Sequence, residues 1–297
     1  MKANRRAAAV GRALKEYFKV ACLAALLAVQ VRHADAAEAT APAKRIVSLA
    51  PHLTELAFAA GAGERIVATV AYSDHPPAAR NIPRIGDAYR VDFERLLALA
   101  PDVVLVWDSG TPTQTIDRIR ALKLRVLTLT TYRLADVANV VRTIGEVAGT
   151  AAVASPVAAD FEREIDSMRE QYRGRRQVRV FLQIGQRPLY TVNGAHIMSE
   201  IVTLCGGRNV FEDLPALAPS VGVEAVLAAN PEVIIATDDT VHDAMSEWGK
   251  WTSIDAVRVR NIYTLPSDDI ARATTRLTVG TTTICRALDK ARASLGR

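Results

Sequence analysis

No catalytic constellation is complete in this chain. There is no Ser nucleophile elbow, no phosphate loop and no pair of carboxylates placed as in a glycosidase. An enzyme, for instance a metal-dependent hydrolase around Tyr72 to His75, therefore lacks its parts. The nearest approach to a dinucleotide loop is Gly61-Ala-Gly63-Glu-Arg. It follows a helical pattern instead of opening one and lacks a third glycine, so it reads as a helix C-cap. Tyr72-Ser-Asp-His-Pro-Pro77 lacks helical metal spacing, and its Ser-Asp and Pro-Pro pairs mark a turn. Histidine is scarce as well. Beyond the first 37 residues only His52, His75, His196 and His242 remain, and only the first two follow strands of the first half, which argues against a dedicated zinc site.

Long hydrophobic runs are also missing, and so is net charge once residues 1–37 are set aside. Val20 to Val31 is nearly all apolar, but its 12 residues fall short of the roughly 20 that a spanning helix needs. Lys2, Arg5, Arg6, Arg12, Lys15 and Lys19 precede it and the small residues Ala34-Asp35-Ala36 follow, so residues 1–37 read as a secretory signal. Cys22 follows Lys19-Val-Ala, before any apolar run, which does not suit a lipid-attachment cysteine. The leader holds seven of the 37 Lys and Arg and two of the 32 Asp and Glu, leaving 30 of each. The mature chain is thus formally neutral, and nothing in its bulk charge points to nucleic acid. Of three cysteines, Cys205 and Cys285 survive removal of the leader, an even number in an oxidising compartment. They read as a disulfide or as two buried thiols.

What is present is a repeat. Glu94-Arg-Leu-Leu-Ala-Leu-Ala-Pro-Asp-Val-Val-Leu-Val-Trp107 and Glu224-Ala-Val-Leu-Ala-Ala-Asn-Pro-Glu-Val-Ile-Ile-Ala-Thr237 superpose at a constant offset of 130 residues, Glu on Glu and Pro101 on Pro231. Thr54-Glu-Leu-Ala-Phe-Ala-Ala-Gly61 resembles Ser199-Glu-Ile-Val-Thr-Leu-Cys-Gly206 more loosely. Between the halves, Val157, Phe161, Ile165, Met168 and Tyr172 form one apolar stripe at helical spacing, with Glu162, Arg163, Glu164, Asp166, Arg169 and Glu170 opposite. Ser155 and Pro156 suit an N-cap and first position, giving about 17 residues and roughly 25 Å. Gly149-Thr150 suits an earlier start with Pro156 as a kink. The spacing therefore predicts two α/β lobes joined by one long helix, with residues 38–149 as the N-terminal lobe, 150–176 as the linking helix and 177–297 as the C-terminal lobe.

Each half alternates strand and helix. Strands are expected at Arg45 to Leu49, Ile66 to Val70, Val103 to Val106 and Val126 to Leu129, then at Val178 to Gln183, Val233 to Ala236 and Ile262 to Leu265. Helices are expected at Leu53 to Ala60, Phe93 to Leu99 behind an Asp92 cap, and Thr115 to Leu122. In the second half they fall near Ser199 to Leu204, Val223 to Ala229, His242 to Lys250 and Thr274 to Ser294. Continuously apolar strands are covered on both faces, which implies mostly parallel sheets. Ligands of such sheets collect beyond the carboxyl ends of the strands. The residues there are Pro51-His52, Tyr72 to His75, Trp107-Asp108, Ile184 to Arg187, Thr237 to Asp239, and Ser267-Asp268 through Arg272. Their mix of aromatic, amide and ionic groups suits a bulky ligand with apolar and polar parts. His52 or Tyr72 also suits an axial ligand to a haem iron, and His52 equally a polar residue at a helix start.

From Arg45 onward the chain resembles the periplasmic cobalamin-binding proteins of bacterial ABC importers. The likeness is carried by Arg45-Ile-Val-Ser-Leu-Ala-Pro, Thr54 to Gly61, Tyr72-Ser-Asp-His-Pro-Pro77, Glu94-Arg with Pro101-Asp-Val-Val, Val180-Phe-Leu-Gln183, Cys205-Gly-Gly-Arg-Asn209, and Ser267-Asp268 with Arg272. The resemblance implies a non-enzymatic monomer without a cofactor that passes a corrinoid to an ABC permease dimer. It implies ligand contacts from Tyr72, from Trp107 and from the loop Asp268, Asp269, Ile270, Ala271 and Arg272, to which the strand-end rule adds Pro51, His52 and Ile184. It implies a Cys205–Cys285 disulfide and permease docking through Glu94 and Glu224. Haem and ferric-siderophore carriers share the fold and stand as the alternative. The chain departs from the pattern at Ala88, Ile184, Ala218, Asp269 and Ile270, where aromatics are expected, and Tyr89 partly replaces what Ala88 lacks.

Overall fold

The computed structural model describes residues 41–87, 89–238 and 243–295. The leader at residues 1–37, Ala88, Asp239 and His242 lie outside the described residues. Two four-stranded parallel sheets are present. The first comprises β1 (Ile46–Ser48), β2 (Ile66–Ala68), β3 (Val103–Trp107) and β4 (Val126–Leu129) in the order β2-β1-β3-β4. The second comprises β5 (Val178–Gln183), β6 (Gly207–Asn209), β7 (Val233–Thr237) and β8 (Ile262–Leu265) in the matching order β6-β5-β7-β8. The apolar runs Val103–Val106 and Val233–Ala236 are buried along their whole length, as helices on both sheet faces require.

The repeat extends to the connections. Helix α1 (Pro51–Ala59) ends in a Schellman motif: Gly61, at φ 75°, donates its N–H to Phe58 O and Ala62 donates to Ala57 O. Helices α2 (Phe93–Ala98) and α3 (Thr113–Ala121) complete the outer layer of the first lobe. Before Pro101 and Pro231, Ala100 and Asn230 both take φ 41°. One residue further on, Asp102 accepts the backbone N–H of Lys44 and Arg45, and Glu232 accepts that of Arg179. A carboxylate thus anchors the start of the leading strand in each lobe.

Between the sheets run α4 (Leu134–Ala148) and α5 (Ala151–Tyr172), hinged at Gly149, whose φ is 65°. The linking helix takes the earlier of the two starts, with Pro156 inside it, and its 22 residues span about 33 Å. Phe161, Ile165 and Tyr172 are buried, and Val157 and Met168 pack against the same core, so the stripe is where the spacing puts it. That core is continuous from α1 through α5 into the second sheet, which fixes the lobes on one another through the linker. Gly145 allows α4 and α5 to touch: a Cβ there would lie 2.2 Å from Ala154 Cβ. Gly145→Ala is expected to cost about 1–3 kcal/mol by overpacking, read from chemical denaturation. A wild-type midpoint would contradict this role.

The second lobe continues with α6 (Ile197–Leu204), α7 (Val223–Ala229), α8 (Ala244–Trp248), α9 (Asp255–Arg258), α10 (Ser267–Ile270) and α11 (Leu277–Leu295). The helix expected near residues 242–250 is confined to α8, capped by Asp243, whose side chain accepts Ser246 N–H. The helix expected from Thr274 begins at Leu277. Strand β6 was not foreseen, because Gly207-Arg-Asn209 has no apolar pattern. It pairs with β5 because Gly207 lets the chain lie against Val202 and Leu288, where a Cβ would sit 2.7 and 2.8 Å from their side chains. Cys205, at the end of α6, is bonded to Cys285 in α11.

Candidate ligand-binding site

The strand ends of both sheets face one cleft. It encloses a cavity of about 280 Å³, just below the roughly 300–1,000 Å³ usual for small-molecule sites. The first lobe contributes Pro51, His52, Trp107, Ser109, Thr131 and Tyr132. The second contributes Ala195, His196, Ile197, Leu217, Ala271, Arg272 and Ala273.

Pro51 and His52 are placed by the first turn of α1, directly after β1. The His52 ring lies edge-on to Trp107, with centroids 4.9 Å apart, and its Nε2 is 3.4 Å from Thr131 Oγ1. Burial, reinforced by the nearby Arg272 charge, pushes the His52 pKa down to about 3, so the ring is neutral. Among the described residues Trp107 Nε1–H is buried without a partner.

Below the cavity, charges from the two lobes interlock. Arg276 donates to both carboxylate oxygens of buried Glu55, at 2.7 and 3.1 Å, and donating to that carboxylate raises its pKa. Arg272 meets Asp268 at 2.7 Å and, across the cleft, Asp74 at 3.2 Å. Burial works against the Asp74 carboxylate, but its bond to Arg272 prevails and holds its pKa below the usual range. Asp269 pairs with Arg276 at 3.1 Å. The two guanidiniums are therefore fully countered. Among the described residues no cluster of three or more His, Cys, Asp or Glu could hold a metal ion.

Of the residues singled out from sequence, the cavity brings together Pro51, His52, Trp107, Ala271 and Arg272. Asp268 and Asp269 stand beneath it as counter-ions, and Ile270, 1% exposed, turns into the core. Ile184 is half-buried against the core, and Ala218 is exposed beside the lining residue Leu217. Tyr72 and Tyr89 lie outside the cavity wall, 80% and 81% exposed. Tyr72 has φ 64°, a conformation disfavoured for a bulky residue, yet its neighbour Ser73 is buried and accepts a hydrogen bond from Thr69 Oγ1 at 2.8 Å. The turn is thus fastened so that the ring is held in solvent. Glu94 and Glu224 occupy the exposed first turns of α2 and α7. Thr131 and Tyr132 follow β4 and are not among the residues expected above, although the strand-end rule applied to that strand names them. His196 precedes a helix instead of following a strand, so that rule could not find it.

A sequence profile described as periplasmic binding protein matches residues 46–269. The chain belongs to this family. Members of the periplasmic binding protein family are transport components, not enzymes, and carry no cofactor. The vitamin B12-binding protein of Vibrio campbellii is 32% identical over 260 residues, covering 87% of this chain and 94% of that protein. The vitamin B12-binding protein of Pectobacterium carotovorum is 33% identical over 249 residues, 82% of this chain and 88% of that one. Among solved structures, the periplasmic vitamin B12 binding protein BtuF of Vibrio cholerae superposes with a TM-score of 0.79 at 32% identity, covering 84% of this chain and 98% of that one. The periplasmic haem-binding protein BhuT superposes with a TM-score of 0.75 at 22% identity, covering 84% and 98%, a likeness of fold alone.

Proposed function

We propose that this protein captures cobalamin, or a close corrinoid, in the cleft between its lobes and delivers it to an ABC import permease. It reaches the periplasm through the signal at residues 1–37 and works as a monomer. The observation that carries the choice of ligand is that the cleft offers no uncompensated cation, in a chain akin to vitamin B12-binding proteins. Among the described residues Arg272 is the one charged side chain on the cavity wall, and Asp74 and Asp268 already compensate it. A corrin ring carries uncharged amides and asks for no cation. A haem brings two carboxylates, which would lose water on entering without gaining a free cation. Titration of the mature protein with cyanocobalamin, haemin and a ferric siderophore, followed by heat and absorbance, tests this reading. Cyanocobalamin is expected to bind; haemin uptake with a Soret shift and no corrinoid binding would overturn it.

Tyr72 supplies a second check. Because its side chain is exposed and its φ is positive, Tyr72→Gly is expected to leave stability unchanged or raise it by up to about 1 kcal/mol. The same change should weaken corrinoid binding about tenfold through loss of a stacking surface. Equal affinity in the variant would remove Tyr72 from the site.

A further inference from the structure

His196 stands at the N-cap of α6, on the second-lobe wall of the cavity. Its Nδ1 accepts the Met198 backbone N–H at 3.2 Å. A neutral imidazole that accepts at Nδ1 carries its proton on Nε2, and burial keeps the ring neutral by pushing its pKa down to about 4. Among the described residues the bond at Nδ1 is the ring's only hydrogen bond. Nε2 is not one of the sealed, unpartnered atoms of the interior, and His196 lines the cavity. The helix cap thus engages the Nδ1 edge of the imidazole and leaves the Nε2 edge for another partner.

We propose that His196 is a ligand-binding, specificity-determining residue that donates its Nε2–H to an uncharged carbonyl of the cargo, of the side-chain amide class. This rests on the corrinoid reading above. A donor that stays neutral suits an amide oxygen. A carboxylate in the same place would be stripped of water with Arg272 already engaged by Asp74 and Asp268. His52, neutral on the opposite wall, adds no cation to help it.

The test separates the capping role from the ligand role. Asparagine is a good N-cap but does not reach as far as histidine, so His196→Asn should keep the melting temperature near wild type. Its affinity for cyanocobalamin should nevertheless fall, by roughly three- to tenfold for one neutral hydrogen bond. If His196→Asn melts and binds as the wild type does, the inference is wrong. Should the variant not fold, the wild-type protein labelled with 15N-histidine decides. A His196 Nε2–H resonance that shifts and gains exchange protection with cyanocobalamin supports the contact, and one that stays unchanged overturns it. A wild-type protein that does not bind cyanocobalamin at all would defeat the functional reading itself, a result distinct from either.

Discussion

Replacing Cys205 and Cys285 together by alanine is expected to lower stability by about 4–4.5 kcal/mol and the melting temperature by roughly 10–15 °C. The bond closes a loop across a sequence separation of 80, and in the chain-entropy model a loop of that length accounts for the whole figure through the unfolded state. The folded state should survive the change. The Cys205 turn is held independently, because Arg292 Nη2 donates to the carbonyls of Cys205 and Gly206 at 2.7 and 3.1 Å. Both cysteines are buried, so the alanines also leave small voids, which add to the loss. Denaturant titration of the double variant against the wild type measures the difference. Peptide mapping without reduction should link Cys205 to Cys285, and two alkylatable thiols in protein taken from the periplasm would refute the bridge in vivo.

The fold was legible where its signals are local. The pairing of Pro101 with Pro231 and of each buried strand after it is visible at a glance, because a strand covered on both faces must be apolar throughout. The linker stripe was legible for the same reason, at a period of 3.6 instead of an unbroken run. Strand β6 was not, since its pairing depends on Gly207 lacking a side chain and not on any pattern. The cleft was half legible. Pro51, His52, Trp107 and Arg272 follow strands, and topology alone predicts their place. Glu55 was visible only as part of the Thr54 to Gly61 repeat. Its partner Arg276 is 221 residues away, and no local spacing links a carboxylate to a guanidinium brought together by the meeting of two lobes. Leu217 lies in the long connection before α7, where the chain carries no periodicity.

Reversing both Glu94 and Glu224 to arginine is expected to abolish delivery of ligand while leaving its affinity unchanged. The two residues hold the same place in the repeat, each the second residue of a short helix that leads through a proline to a buried strand. Both are exposed, and among the described residues neither has an ion-pair partner. Helix N-termini favour an acidic side chain by a few tenths of a kcal/mol to about one, which explains a glutamate at either site but not a matched pair. The same figure bounds what the substitutions cost the fold, so the double variant should still be secreted and folded. The proposed permease dimer would offer two equivalent surfaces, and two carboxylates on lobes locked together by α5 would meet a basic group on each. Charges at the rim of such a contact govern the rate and orientation of docking, not the binding of a small molecule in a cleft elsewhere. Calorimetry with cyanocobalamin and uptake by cells or proteoliposomes that supply the permease read the two effects separately. Each single reversal should leave partial uptake, because one carboxylate still docks. Normal transport by the double variant, or loss of ligand binding together with transport, would exclude the docking role.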